Sequence, residues 1–336
     1  MTLGAIRVAR EAATLIRRSA QPRRLRLRPF AADSDSDLGS DSGAGADSGE
    51  GAGVGAGPGA RSAAGADLVA GIDPRVEQLV RSWLKATHSD HAVVGEEDGG
   101  LEEMDLSRPT WFIDPVDGAT NFVRGIPHCA CSLAFWDGQR LALGVVADVA
   151  RRRIYWAEAG RGAYEGHRRL RASPVRRLDR AVLATGFPPT RAFDPDDNLA
   201  EFSSVLRRSR DVRRTGSAAI DLAWVAAGRL DCYWEQRCGP WDWAAGVLFV
   251  REAGGKATTY AGLEWHPGDA DLVASNGPVH TALIESFVDA RVGAGFGVRP
   301  PQVRVGNGAG LGNGAGAARK NADAEDPDGR SGSSGR

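Results

Sequence analysis

The stretch "TWFIDPVDGATNF", Thr110 to Phe122, constrains the fold more than any other part of the chain. Its β-branched and aromatic start predicts a strand entering a core, and the apolar run then meets Asp114, Pro115, Val116, Asp117 and Gly118. Proline cannot donate to a sheet ladder, so the strand is expected to end at Pro115, with Asp117 and Gly118 turning the chain into a helix. Two carboxylates at the buried end of a strand are costly to desolvate unless a positive charge sits between them. Asp114, Asp117 and the carbonyl of Val116 are hard oxygen ligands of the kind that suit Mg²⁺. The N–H groups of Gly118 and Ala119 open a helix, which suits phosphate. The competing reading is structural: Asx turns and a helix cap would use the same two aspartates.

Other acids stand at element junctions: Glu96 and Glu97 in "VVGEED", and Asp242 in "GPWDWAAG". Taken singly, Asp242 reads as an N-cap and Glu96 as a solvated turn residue. Taken with Asp114 and Asp117, they supply about the number of carboxylates that a two-metal phosphoryl site needs to hold ions ~4 Å apart.

The remainder narrows the class. Across 336 residues, 42 basic side chains face 43 acidic ones, a balance that gives no field for nucleic acid or an anionic membrane. No stretch approaches the ~20 apolar residues of a membrane span. The four cysteines fit neither a disulfide scaffold nor a C-x-x-C zinc pattern, so Cys129, Cys131, Cys232 and Cys238 read as reduced thiols, the first two as core packing. A cytoplasmic setting follows; Arg7, Arg10 and Glu11 interrupt any signal-peptide core, and an Arg-rich targeting peptide is the competing reading of the N-terminus.

Leu3, Ile6, Ala9, Ala13 and Ile16 are spaced as the apolar stripe of a helix, which makes residues 1–30 part of the main domain. Residues 31–65 turn to Ser, Asp, Gly and Ala and read as a disordered insertion, as does the tail 300–336. Between them, 66–295 form the main body of the domain. Asp73 before Pro74 reads as an N-cap with proline at the first helical position, followed by the stripe Val76, Leu79, Val80, Trp83 and Leu84. Strands are expected at "AVVGEE", "TWFID", "CSLAFWDG", "LALGVVADV", "RIYWAEAG", "CYWE" and "LVASN". Helices are expected at "AAIDLAWVAAGRL" and "WAAGVLFVREAGG", a mixed α and β pattern of layered sheets.

These motifs resemble the inositol monophosphatase family of Mg²⁺-dependent, lithium-sensitive sugar phosphatases. "DPVDGATNF" matches its Asp-Pro-Ile/Leu-Asp-Gly-Thr-x-Asn-Phe motif, "GEED" its Gly-Glu-Glu, and "WDWAAGVLFVREAGG" its Trp-Asp-x-Ala-Ala-Gly and Glu-Ala-Gly-Gly. Lesser matches such as "GRGAYEG", "ATGFP" and "GSAAIDLAWVAAGRLDCYWE" extend the likeness over roughly residues 3 to 290, apart from the insertion. The resemblance implies an α+β fold, a layered αβαβα sandwich, assembled as a homodimer. It implies that Glu96, Asp114, Asp117, Asp242 and the Val116 carbonyl bind two or three Mg²⁺ ions, with Glu96, Asp114 and Asp117 catalytic. Asp117, Gly118, Ala119, Thr120, Gly216, Ser217, Ala218, Glu235 and Asp242 would bind the substrate, the backbone amides of Gly118 and Ala119 holding its phosphate. Glu235 would accept hydrogen bonds from substrate hydroxyls, and Asp73 matches an aspartate near the metals.

The implied reaction is in-line attack of a metal-activated water on a small phosphate monoester, myo-inositol 1-phosphate first, with histidinol phosphate, fructose 1,6-bisphosphate and 3′-phosphoadenosine 5′-phosphate as alternatives. The sequence departs from the family at Ala119, where a Thr or Ser hydroxyl is usual, and at "VAGID", which replaces Val-Thr-x-x-Asp beside the third metal. Ala119 also admits a different class, a weakly active or non-catalytic regulatory member.

Overall fold

The computed structural model describes residues 1–20, 63–97, 101 and 104–296; the expected insertion and tail lie outside them, apart from 63–65 at the start of a helix. Helices α1 (Thr2–Ala20) and α2 (Ala63–Thr87) cover one face of a seven-stranded sheet. Its order is β1 (Ala92–Gly95), β2 (Thr110–Asp117), β3 (Ala130–Trp136), β4 (Leu141–Asp148), β5 (Arg153–Glu158), β6 (Gly162–Glu165) and β7 (Arg168–Arg169). Only β1 and β2 run parallel. The short helix α3 (Ala119–Arg124) follows β2 directly.

The other face of this sheet packs on α5 (Ala218–Ala226) and α6 (Pro240–Glu252), and these cover a five-stranded sheet of order β11 (Lys256–Thr258), β12 (Asp271–Ser275), β10 (Cys232–Gln236), β8 (Val182–Thr185) and β9 (Asp211–Arg213). Helices α4 (Leu199–Arg208) and α7 (His280–Gly293) close the far side. The layers are helix, sheet, helix, sheet, helix, the expected αβαβα sandwich.

Burial on both faces explains the local sequence. Every residue of β2 and β3 is buried, so these strands read as apolar runs instead of alternating. Helix α5 is buried at every position but Trp224, because it lies between two sheets. Gly246 lets α5 and α6 close on each other: a Cβ there would fall 2.4 Å from the Leu222 Cβ.

Three local expectations are corrected. In α1 the expected Ala9, Ala13 and Ile16 are buried and Ile6 is partly buried against the same core, with Ala5, Val8 and Ala12 completing the seam, but Leu3 is 83% exposed. Asp73 is no N-cap: α2 begins at Ala63, and Pro74 sits inside it, tolerated at the loss of one backbone hydrogen bond. The β2 ladder does not end at Pro115. Asp114 pairs with Ser132 and Asp117 with Ala130, so Pro115 and Val116 together oppose Cys131 in a bulge. All four cysteines are free thiols; Cys129 and Cys131 are buried, as expected, and Cys232 is buried too.

Candidate active site

The bulge in β2 is what assembles the site. In plain strand alternation, Asp114 and Asp117 would point to opposite faces; the extra residue restores them to one side. Asp242 joins them from the first turn of α6, where it lies three residues inside the helix start, not at the N-cap. Its Oδ2 accepts the Gly239 N–H at 2.7 Å, and Pro240 opens the helix. One oxygen each of Asp114, Asp117 and Asp242 lies within 4.8 Å of the others. Glu96 comes to the rim of this cluster through the parallel pairing of β1 and β2: Gly95 aligns with Ile113, and the Glu96 N–H donates to the Ile113 carbonyl, so Glu96 stands beside Asp114.

Asp117 has a second structural role. Its Oδ2 accepts the Ser217 hydroxyl at 2.5 Å and the Ala219 N–H at 2.9 Å, and its Oδ1 accepts the Ala218 N–H at 3.2 Å. It therefore caps α5 from a different element, which ties the carboxylate cluster to the Gly216–Ala218 turn. Gly118, at φ +87°, must be glycine on two counts: the left-handed backbone, and the Gly216 and His128 carbonyls, each 2.9 Å from where a Cβ would be. Asn121 completes the brace by donating to the His128 and Thr215 carbonyls, both at 2.8 Å. Ala119 is half-buried and Thr120 exposed at the start of α3.

Asp114 differs from these. It is 1% exposed, and neither carboxylate oxygen has a hydrogen-bond partner among the described residues. Burial pushes its pKa well up, and the charges of Glu96, Asp117 and Asp242 add to the effect. Asp242 is raised by burial and then by Asp117, Glu96 and Glu235. Glu96 is exposed at the rim, and its pKa is raised by partial desolvation against the cluster and by the charges of Asp117, Glu97 and Glu77, with Asp114 opposing. Such a set is unstable without a cation, and its all-oxygen chemistry fits Mg²⁺.

Asp73 belongs to the same field. It is 4% exposed on α2, its Oδ1 has no partner, and burial followed by Glu97, Glu96 and Glu77 raises its pKa to about 8. Its native state thus binds a proton more tightly than the unfolded chain does. The associated stability is present at low pH and falls away as pH rises from about 4 through 8. In metal-free buffer, Asp73→Asn is expected to be more stable than wild type at pH 8 by about 2 to 4 kcal/mol, with the advantage shrinking toward pH 5. Urea unfolding at both pH values measures it, and a difference independent of pH would contradict it.

Glu235 sits apart from the cluster on β10, 8% exposed, with its pKa raised to about 7 by burial against the opposing effects of Tyr233 and Arg214. Sequence reasoning missed Glu77. This acid lies one turn after Asp73 on α2, is 1% exposed, pairs with Arg81 at 2.7 Å and accepts the Glu97 N–H at 3.2 Å, which steadies the Glu96 loop. An acid set inside an apolar stripe, between Val76 and Val80, was the available signal. It also missed Asp221, which is buried and holds the Thr215 hydroxyl and, at 3.2 Å, His128 Nε2.

Residues 2–291 match the model of a family described as the inositol monophosphatase family. An inositol-1-monophosphatase of Caulobacter vibrioides is 39% identical over 221 residues, covering 63% of this chain and 84% of that protein. The Nus factor SuhB of Pseudomonas aeruginosa is 39% identical over 219 residues, covering 64% and 81%. Among solved structures, an inositol monophosphatase from Anabaena (Nostoc) superposes with a TM-score of 0.62 at 33% identity, over 67% of this chain and 91% of that one.

Proposed function

We propose, for a chain that belongs to the inositol monophosphatase family, that it is a Mg²⁺-dependent hydrolase of small polyol or sugar phosphate monoesters, with myo-inositol 1-phosphate as the first substrate. The observation that carries this reading is Asp114: a buried carboxylate whose two oxygens have no hydrogen-bond partner, facing two more carboxylates, is costly to ionise unless a cation is in place. Glu96, Asp114, Asp117, Asp242 and the Val116 carbonyl would hold two or three ions. Bound there, Mg²⁺ supplies charge neutralisation at a phosphoryl group and a lowered water pKa.

The chain's own residues do the rest. The bulge and the Asp117 cap fix the carboxylates before any ligand arrives, so little reorganisation accompanies the reaction. Gly118 lets the turn run close beneath the phosphate, where the N–H groups of Gly118, Ala119 and Thr120 at the start of α3 would receive its oxygens. Glu235 and the Gly216–Ala218 turn, with Ser217 between, would line the leaving alcohol. Homodimeric assembly, which rests on the family resemblance, and a cytoplasmic setting, which rests on the reduced thiols and the charged N-terminus, belong to the same proposal; no helix among the described residues is long and apolar enough to cross a membrane.

Ala119 favours a second reading, a regulatory protein of this fold with little turnover; one relative bears the name of a Nus factor. The test is phosphate release from myo-inositol 1-phosphate, histidinol phosphate, fructose 1,6-bisphosphate and 3′-phosphoadenosine 5′-phosphate under a Mg²⁺ titration. Mg²⁺-dependent release from at least one supports the hydrolase; folded, Mg²⁺-loaded protein that releases phosphate from none supports the regulatory reading.

A further inference from the structure

Glu235 is held by Tyr233 and Gly186, which lie in the matched stretches "CYWE" and "ATGFP" without a role attached to either. Tyr233 and Glu235 stand two residues apart on β10, so both side chains take the face toward α5 and α6, while Cys232 and Trp234 take the other. Tyr233 is 1% exposed, and its hydroxyl donates to Glu235 Oε2. The parallel register of β8 and β10 pairs Thr185 with Trp234, which brings the buried Gly186 alongside Glu235. A Cβ on residue 186 would fall 1.7 Å from Glu235 Oε1, so the carboxylate occupies the space that this glycine leaves. A long acidic side chain that would otherwise sample many rotamers is thus confined by the Tyr233 hydroxyl, the neighbouring Cys238 thiol and the Gly186 cradle.

We propose that Tyr233 is a positioning residue for recognition of the leaving alcohol, fixing Glu235 in the Gly186 cradle so that the site selects phosphate esters of polyols over esters whose alcohol carries no hydroxyl. This rests on the hydrolase reading above. A carboxylate accepts hydroxyl protons in a narrow range of directions, so its orientation decides which neighbouring hydroxyls it can take. The Tyr233 hydroxyl bonds Glu235 and makes no hydrogen bond to Asp114, Asp117 or Asp242 among the described residues, so its effect on recognition passes through Glu235.

The test compares kcat/KM for myo-inositol 1-phosphate with that for p-nitrophenyl phosphate, whose alcohol has no free hydroxyl for Glu235 to accept. Wild type, Tyr233→Phe, Glu235→Gln and the double variant are measured with Mg²⁺ present, each checked for folding by thermal melting. Tyr233→Phe is expected to lower the ratio of the two kcat/KM values about tenfold, mainly through KM for myo-inositol 1-phosphate. In the Glu235→Gln background, the same change is expected to leave the ratio where it was. Equal losses on both esters, or a further fall in ratio without Glu235, would overturn the proposal. If wild type hydrolyses neither ester, it is the hydrolase reading that has failed. Calorimetric titration of myo-inositol 1-phosphate into the Mg²⁺-loaded protein then decides: a Kd raised about tenfold by Tyr233→Phe supports the positioning role, whereas an equal Kd, or no binding by wild type, overturns it.

Discussion

Asp114→Asn is expected to slow Mg²⁺-dependent phosphate release by at least a factor on the order of a thousand, about 4 kcal/mol of transition-state stabilisation. Asp114 spends both oxygens on nothing else in the protein, so a cation has first claim on them. An amide keeps the size of the side chain but removes the charge and offers one oxygen where there were two. The same substitution is expected to raise the melting temperature of the metal-free protein at pH 8. An amide has neither a charge to desolvate nor a proton to bind, so it escapes the cost that burial and the neighbouring Glu96, Asp117 and Asp242 impose on the Asp114 acid in the folded state. Loss of activity together with a gain in metal-free stability is the signature of a ligand; a structural Asx turn would lose stability instead. Phosphate-release kinetics and melting in chelator report the two halves separately.

Ala119→Thr is expected to move activity in the other direction. In the family that the motifs resemble, a hydroxyl at this position helps orient the attacking water together with the first glutamate of Gly-Glu-Glu. Here a methyl group stands at the first residue of α3, half-buried beside the carboxylates, and the neighbouring Thr120 is exposed. Consecutive residues of a helix start point in different directions, so Thr120 does not replace the missing group. Restoring the hydroxyl is expected to raise kcat by on the order of a hundredfold, about 2 to 4 kcal/mol, with KM little changed. Threonine is acceptable at a first helical position, so the fold should tolerate it. An unchanged or lower kcat in the folded variant would show that no missing hydroxyl limits the rate.

The sequence made the chemistry of this site more legible than its geometry. Asp114, Asp117 and Asp242 could be picked out because acids at the ends of apolar runs stand out against the burial they must undergo, and the structure brings those three together. How Asp114 and Asp117 reach the same side could not be read, because the bulge depends on the register against β3, and register is a property of two strands. Asp73 shows the opposite failure. Asp followed by Pro carries a capping signal in any local reading, yet the helix starts ten residues earlier, at Ala63, and tertiary packing overrides the local preference. Leu3 misled for a related reason: in a helix rich in alanine, the small residues Ala5, Ala9 and Ala12 form the buried seam against the sheet, and the larger Leu3 is left outside. Tyr233 and Gly186 stand in the matched stretches "CYWE" and "ATGFP", but their role could not be read because it lies in what they hold. Only the pairing of β8 with β10 sets them around Glu235.

The most direct measurement of the central claim is a calorimetric titration of Mg²⁺ into metal-free protein at pH 7, in two buffers of different ionisation enthalpy. Burial and mutual repulsion raise the pKa values of Asp114, Asp242 and Asp73, so the metal-free cluster holds protons more tightly than free carboxylates do, and a cation competes with them. The account predicts saturable binding whose heat differs between the buffers by the release of about one proton or more per protein, and the loss of that signal in Asp114→Asn. No binding by wild type, or the same binding and proton release in Asp114→Asn, would contradict the assignment of Asp114, Asp117 and Asp242 as a metal site.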